Sequence, residues 1–375
     1  MDNIKFSFLL QSLVIPHSQP WNLSDYNQLC HVCPILKGHI SHKATCSEWI
    51  DAGADQIISY IISRNHIDEP KQSFIDGCQS GHVSIAILLY PLLDQIRPTR
   101  GDIINLFQHA CENNHMDMVQ WLHNSFQITP EEAKINDCHI FRLCCGEGYL
   151  KIVQWLHNTF HVSSEEVRTN ENQAFRWSCY SGNINLLQWL HDTFHFTSEE
   201  TKKIDNYAFR ESCINGHLDV AQWLHETFYV TTEEAKLVNN ESFRWCCRND
   251  HLDIAQWLHN TFHITPDEAK MRDNQAFITS CRDGHLNVAV WLYETFHITS
   301  EEAKTDNNQA FRGSCYSDHL DVAKWLHNTF HFTSEEAKTL NNQAFRESCI
   351  NSHLNVAIWL YETFHITSEE AKMND

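Results

Sequence analysis

The stretch "HLDIAQWLHNTFHITPDEAK", residues 251–270, sets Ile254, Trp257, Leu258 and Phe262 at i, i+3, i+4 and i+8, one face of a helix. It also carries His259 and His263 four residues apart, a spacing that can put two imidazoles on one side of that helix. Thr265, Pro266 and Glu268 then form a capping-box pattern that opens a further short helix. The surrounding sequence decides whether this is a metal-binding helix or a structural module.

Trp-Leu pairs begin at Trp121, Trp155, Trp189, Trp223, Trp257, Trp291, Trp325 and Trp359, each 34 residues after the last. Cysteines keep the same beat at Cys111, Cys145, Cys179, Cys213, Cys247, Cys281, Cys315 and Cys349. The regular array is therefore eight 34-residue repeats over 104–375. A degenerate unit over 71–103 and a divergent N-terminal cap region over 1–70 precede it. In each repeat "NQAFRESCIN" reads as a short helix and "HLNVAIWLYETF" as a longer one, with Gly, Asn or Asp at the corner. One repeat cannot bury its apolar stripe alone, so neighbours must stack into an all-α solenoid.

The chain has 375 residues, a hydrophobic content of 42% and a formal charge of −21. That charge repels a phosphate backbone, and no basic cluster offsets it, so nucleic acid is excluded as a partner. Fifteen cysteines scattered along the chain fit a reducing compartment, giving an intracellular, cytoplasmic expectation. No run approaches the ~20 apolar residues of a membrane span, so no membrane partner is expected. The phosphate-binding, nucleophile-elbow and His-Glu-x-x-His signatures are absent, and no enzyme is expected.

The repeat resembles the ankyrin family. "GHLDVAQWLH" at 216–225 is similar to that family's second helix, and "AFRESC" at 208–213 stands where the family has its Pro-Leu-His-x-Ala-Ala segment. The resemblance implies that Ser212 and Cys213 take the small positions of closely approaching helices and that Phe209 takes the buried leucine. Two departures stand out. Arg142, Arg176, Arg210, Arg244, Arg312 and Arg346 replace the family's turn histidine, with Ile278 in the remaining repeat. "HITSEEAK"-type segments replace the hairpin fingers, so short helical turns are expected there. Divergent ankyrin arrays of this kind are common in large DNA viruses and protists, where they serve as interaction scaffolds.

Candidate chemistry sorts as follows. The histidine pairs lack the glutamate of a metalloprotease helix and are broken by Gln127, Tyr293 or Tyr361 in other repeats, which suits packing at a helix end. The periodic cysteines read as small core residues. Cys30, Cys33, His42 and Cys46 are candidate zinc ligands, with His39 as an alternative, and zinc is the only cofactor considered. Acidic pairs such as Glu233/Glu234 and Asp267/Glu268 form a ladder, with lysines such as Lys236 and Lys270 one turn later to balance them. The positions that vary inside the frame are the best binding signal: Trp177, Tyr180, Glu211, Ile214, Trp245, Arg248, Arg282, Tyr316 and Ile350. In an ankyrin-like stack they face the concave side, and Trp, Tyr and Arg are hot-spot residue types.

The expectation is a non-catalytic scaffold that binds a protein partner through that face. Its alternative is a zinc-stabilised adaptor whose N-terminal Cys/His region recruits a second protein. The chain ends in phase with its repeats at "EEAKMND". It is expected to be monomeric, with end-to-end association or a longer array as alternatives.

Overall fold

The computed structural model describes residues 70–93, 97–367 and 369 of the protein. Every regular element among the described residues is helical. The chain divides into two compact units, one of residues 1–144 with 149–166 and the other of 145–148 with 167–375.

In the second unit one repeat consists of a four-residue short helix, Pro266–Ala269, a leading helix, Met271–Arg282, and a trailing helix, Leu286–Phe296. The short helix forms because Thr265 accepts from the Glu268 amide while the Glu268 carboxylate accepts from the Thr265 amide, a complete capping box with Pro266 at the first position. The trailing helix stops at His297, which takes a left-handed conformation at φ +52°. At the corner before it, Gly284 has φ +87°, and an added Cβ would lie 2.4 Å from the His319 ring of the next repeat. Glycine takes this left-handed corner without strain, whereas the equivalent corners at Asp250 and Asp318 bear a side chain at φ +65° and +64°.

The leading helix holds a feature that helical periodicity does not show. Arg272, Asp273 and Asn274 are all left-handed, at φ +55°, +55° and +63°, between two right-handed segments. The same three-residue turn occurs at 170–172, 204–206, 238–240, 306–308 and 340–342. Left-handed geometry costs roughly 1–2 kcal/mol per non-glycine residue, least for Asn and Asp. The sequence answers with Asp or Asn at the second position in five of these six turns, Asp205, Asn239, Asp273, Asn307 and Asn341, with Glu171 in the sixth, and with Asn at the third position of all six. The first position is less accommodating, because it includes the β-branched Ile204 and Val238.

Neighbouring repeats share a core of aromatic rings. Phe209 is fully buried and meets Trp257 at 6.1 Å and Phe262 at 5.8 Å, both from the following repeat. His225 closes the cluster edge-on to Phe262 at 5.1 Å. The group recurs as Phe243, Trp291, Phe296 and His259, and again as Phe311, Trp359, Phe364 and His327. Trp257 is only half-buried, so it lies at the edge of the core rather than inside it. Consecutive leading helices pack directly on one another, and small residues permit the approach. Ser212, Cys213, Ser280 and Cys281 are wholly buried, and the Ser280 hydroxyl donates to the Cys247 carbonyl of the preceding repeat at 3.0 Å.

The first unit repeats these elements with one informative exception. Its helix Arg100–Glu112 is capped by Thr99, twelve residues before Cys111, whereas Thr265 stands sixteen residues before Cys281. The four residues it lacks remove the left-handed turn, and Arg100–Glu112 runs on unbroken. The next leading helix in the chain, Ile135–Gly146, has the turn at Asn136, Asp137 and Cys138. The leading helix that opens at Arg100 starts before the boundary expected at 104, while Pro70–Gln79 and Val83–Leu89 form a helix pair within the expected degenerate unit.

Candidate partner-binding face and the arginine clamps

The periodic arginines hold the left-handed turns. Arg244 is 4% exposed, and its guanidinium donates to the Asn239 carbonyl at 2.7 Å, the Val238 carbonyl at 3.2 Å and the Gln275 side-chain oxygen of the next repeat. Arg312 does the same with Asn307 at 2.6 Å, Asp306 at 3.0 Å and Gln343. Arg176 reaches Glu171 and Asn170, and Arg210 reaches Asp205 and Ile204. In the first unit Arg142 reaches Asp137 and Asn136. A planar fork of donors suits two successive carbonyls that a left-handed turn points the same way. The third residue of the turn adds a staple: Asn240 donates to the Glu268 carbonyl at 3.2 Å and Asn308 to the Glu336 carbonyl at 2.8 Å, each in the next repeat.

Arg346 occupies the equivalent position with none of these bonds among the described contacts. Ile278 replaces the arginine altogether and is 5% exposed.

The expected binding residues are not uniformly presented. Tyr180, Tyr316 and Ile350 are more than half exposed, at 51%, 52% and 59%. Trp177, Ile214 and Glu211 are half-buried; Trp177 lies against Gly146, where an added Cβ would approach it to 3.2 Å. Burial raises the Glu211 carboxyl above its ordinary range, and Asn215 donates to it. Trp245 is half-buried with the Arg248 guanidinium 4.5 Å over its ring. Arg248 and Arg282 converge on Asp283, at 3.3 Å and at 2.6 and 2.8 Å. Trp245, Arg248, Asp283 and Arg282 therefore form a fixed network, and Tyr180, Tyr316 and Ile350 project from the same register.

The histidine pairs separate into two roles. The Nδ1 atoms of His225 and His259 lie 3.0 Å from the Val230 and Ile264 carbonyls, while the rings pack on the next repeat. The second members, His263 and His331, are the left-handed residues that end the trailing helix. Among the described residues no cluster of three or more His, Cys, Asp or Glu could hold a metal ion. The zinc candidates Cys30, Cys33, His42 and Cys46 lie outside the described residues.

The cysteines at the repeat positions are buried except Cys349, and burial pushes their thiols well up, as at Cys179 and Cys281. They act as small packing residues with little thiolate character.

The acidic ladder is wired differently from the spacing-based expectation. Each lysine bridges to the next repeat rather than back along its own turn: Lys236 to Glu268 at 2.8 Å, Lys270 to Glu302 at 2.9 Å and Lys304 to Glu336 at 2.8 Å. In the first unit Arg100 pairs with Glu132 and Lys134 with Glu166 at 3.0 Å. Partial burial alone would raise the Glu268 carboxyl, but Lys236 and the Thr265 amide outweigh it and hold the group below its ordinary value. Arg100 pushes Glu132 down from 4.5 to about 2.

A carboxyl depressed in the folded state contributes stability that is present above its unfolded value and is lost as pH falls through the folded one. The melting temperature is therefore expected to drop as pH is lowered from 4.5 toward 2. Replacing Lys236 and Lys270 by methionine should flatten that part of the profile. Parallel wild-type and variant profiles would contradict the cross-repeat pairing.

Compared with known proteins, the chain matches no family model and no curated protein. No helix among the described residues is long and apolar enough to cross a membrane.

Proposed function

We propose that the protein is a non-catalytic, intracellular protein-interaction scaffold on an ankyrin-like array, taking a protein partner through the face formed by the variable positions of its leading helices. The observation that carries this reading is the contrast within one frame. From Phe175 to Cys315, Phe, Ser and Cys recur with Cys246 the one replacement for Ser, and they are buried in each of these repeats. The position of Tyr180, Ile214, Arg248, Arg282, Tyr316 and Ile350 varies in residue type, with Tyr180, Tyr316 and Ile350 more than half exposed. Large aromatic and aliphatic side chains held on rigid helices lose little entropy on binding and are common anchors. The ankyrin-like reading makes this the concave face. Buried free thiols such as Cys179, Cys213, Cys281 and Cys315 suit a reducing cytoplasm.

The test is capture of a partner with a cross-linkable array, followed by the Tyr180→Ala, Tyr316→Ala, Ile350→Ala triple variant. At least tenfold weaker retention of the captured partner is expected, with the unfolding midpoint little changed. Undiminished retention by the triple variant would remove this face from the account.

A further inference from the structure

The repeat that carries Ile278 in place of the arginine also carries an open pocket of about 650 Å³ between its leading helix and the next. The pocket is lined by Arg272 and Asp273 of the left-handed turn, by Ile278 and Thr279, and by Asp306 and Gln309 of the following repeat. These are the equivalents of the groups that Arg244 and Arg312 engage. Arg244 donates to the carbonyls of residues 238 and 239 and to Gln275, thirty-one positions ahead; Arg312 donates to 306 and 307 and to Gln343, again thirty-one ahead. For position 278 the corresponding acceptors are the carbonyls of Arg272 and Asp273 and the side-chain oxygen of Gln309. Among the described residues no side chain donates to any of the three.

We infer that this pocket is an arginine slot, built by the array for its own guanidinium and left to receive an arginine side chain of a polypeptide partner. The inference rests on reading the leading-helix face as a binding surface, and it names the chemistry of one anchor on the partner. Three acceptors arranged for a planar fork select guanidinium over ammonium, which has a compact head and cannot span them. The Asp273 and Asp306 carboxylates stand in the lining to balance its two arginines, and the chain's charge of −21 favours a basic partner. Two cations also line the pocket. Arg282 is held bidentately by Asp283, whereas Arg272 repels the like charge of Arg244 and sets the opposing charge that an incoming guanidinium has to offset through the three acceptors. Thr279 turns its hydroxyl onto its own helix, donating to the Gln275 carbonyl at 2.8 Å, and so does not compete for the acceptors.

The experiment titrates the full chain with a flexible Gly-Ser peptide carrying one central arginine, and with the same peptide carrying lysine, followed by calorimetry. Saturable binding of the arginine peptide is expected, at least tenfold tighter than the lysine peptide. Ile278→Arg, which supplies the missing guanidinium from within, should weaken it at least tenfold while keeping the helical circular dichroism of the parent. Gln309→Leu, which removes one acceptor, should weaken it several-fold and serves if Ile278→Arg does not fold. No saturable binding, equal binding of the two peptides, or undiminished binding by both variants would overturn the slot. Equal affinity for free arginine and the arginine peptide would overturn its assignment to a polypeptide. If Ile278→Arg still captures the partner while the Tyr180, Tyr316 and Ile350 variant does not, the slot fails and the face stands.

Discussion

Phe209→Ala is expected to destabilise the array by about 3–5 kcal/mol, the range for truncating a fully buried phenylalanine. Phe209 is inaccessible to solvent and packs on Trp257 and Phe262 of the following repeat, so the cavity opens at an interface between repeats rather than inside one. In a linear stack stability is the sum of repeat and interface contributions, so weakening one interface should also split the urea transition into two phases. Phe345, the equivalent ring in the last described repeat, is only half-buried, and Phe345→Ala should cost less than half as much. Equal losses for the two variants, with a single sharp transition in both, would argue against interface-dominated stability.

Arg244→Ala should cost about 2–4 kcal/mol, because it strips a charge-assisted donor from three acceptors at once. Burial, with help from the nearby Arg272, pulls the Arg244 pKa down, so the guanidinium is held by its bonds rather than by solvent. Arg244→Lys should recover less than half of the loss, since one ammonium cannot serve the Asn239 and Val238 carbonyls and Gln275 together. A loss under about 0.5 kcal/mol for Arg244→Ala, the level of an ordinary surface change, would show that the turn holds without its clamp.

Much of the architecture was legible before the structure. The 34-residue beat, the helix pair and the capping boxes beginning at Thr265 and its equivalents follow from periodicity and local chemistry. The left-handed turns were not legible, because the residues around them continue a helical pattern on both sides and three reversed residues leave no periodic trace. Their signal was the Asp-Asn or Asn-Asn pair ahead of the buried phenylalanine, at 205–206, 239–240, 273–274, 307–308 and 341–342. The arginines were visible as a replacement for a turn histidine, but their partners could be known only once the carbonyls of Val238 and Asn239 were seen to point the same way. Helical spacing likewise pairs each lysine with its own turn, whereas stacking brings the next repeat's glutamate closer, as with Lys236 and Glu268. Of the expected binding residues, Tyr180, Tyr316 and Ile350 are more than half exposed. Trp177 lies against Gly146 of the preceding leading helix, Trp245 lies under Arg248 of its own helix, and both are half-buried.

The central claim is that the repeats turn left-handed for three residues and that an arginine clamp reinforces the reversal where it forms, as at Arg244 and Arg312. Val238→Gly tests it by sign. Val238 sits at φ +54° and is 40% exposed, so glycine relieves a strained backbone and gives up little packing. Equilibrium unfolding in urea should then show a gain of about 1 kcal/mol. In an ordinary right-handed helix the same change loses about 1 kcal/mol, and a midpoint that falls rather than rises would contradict the account.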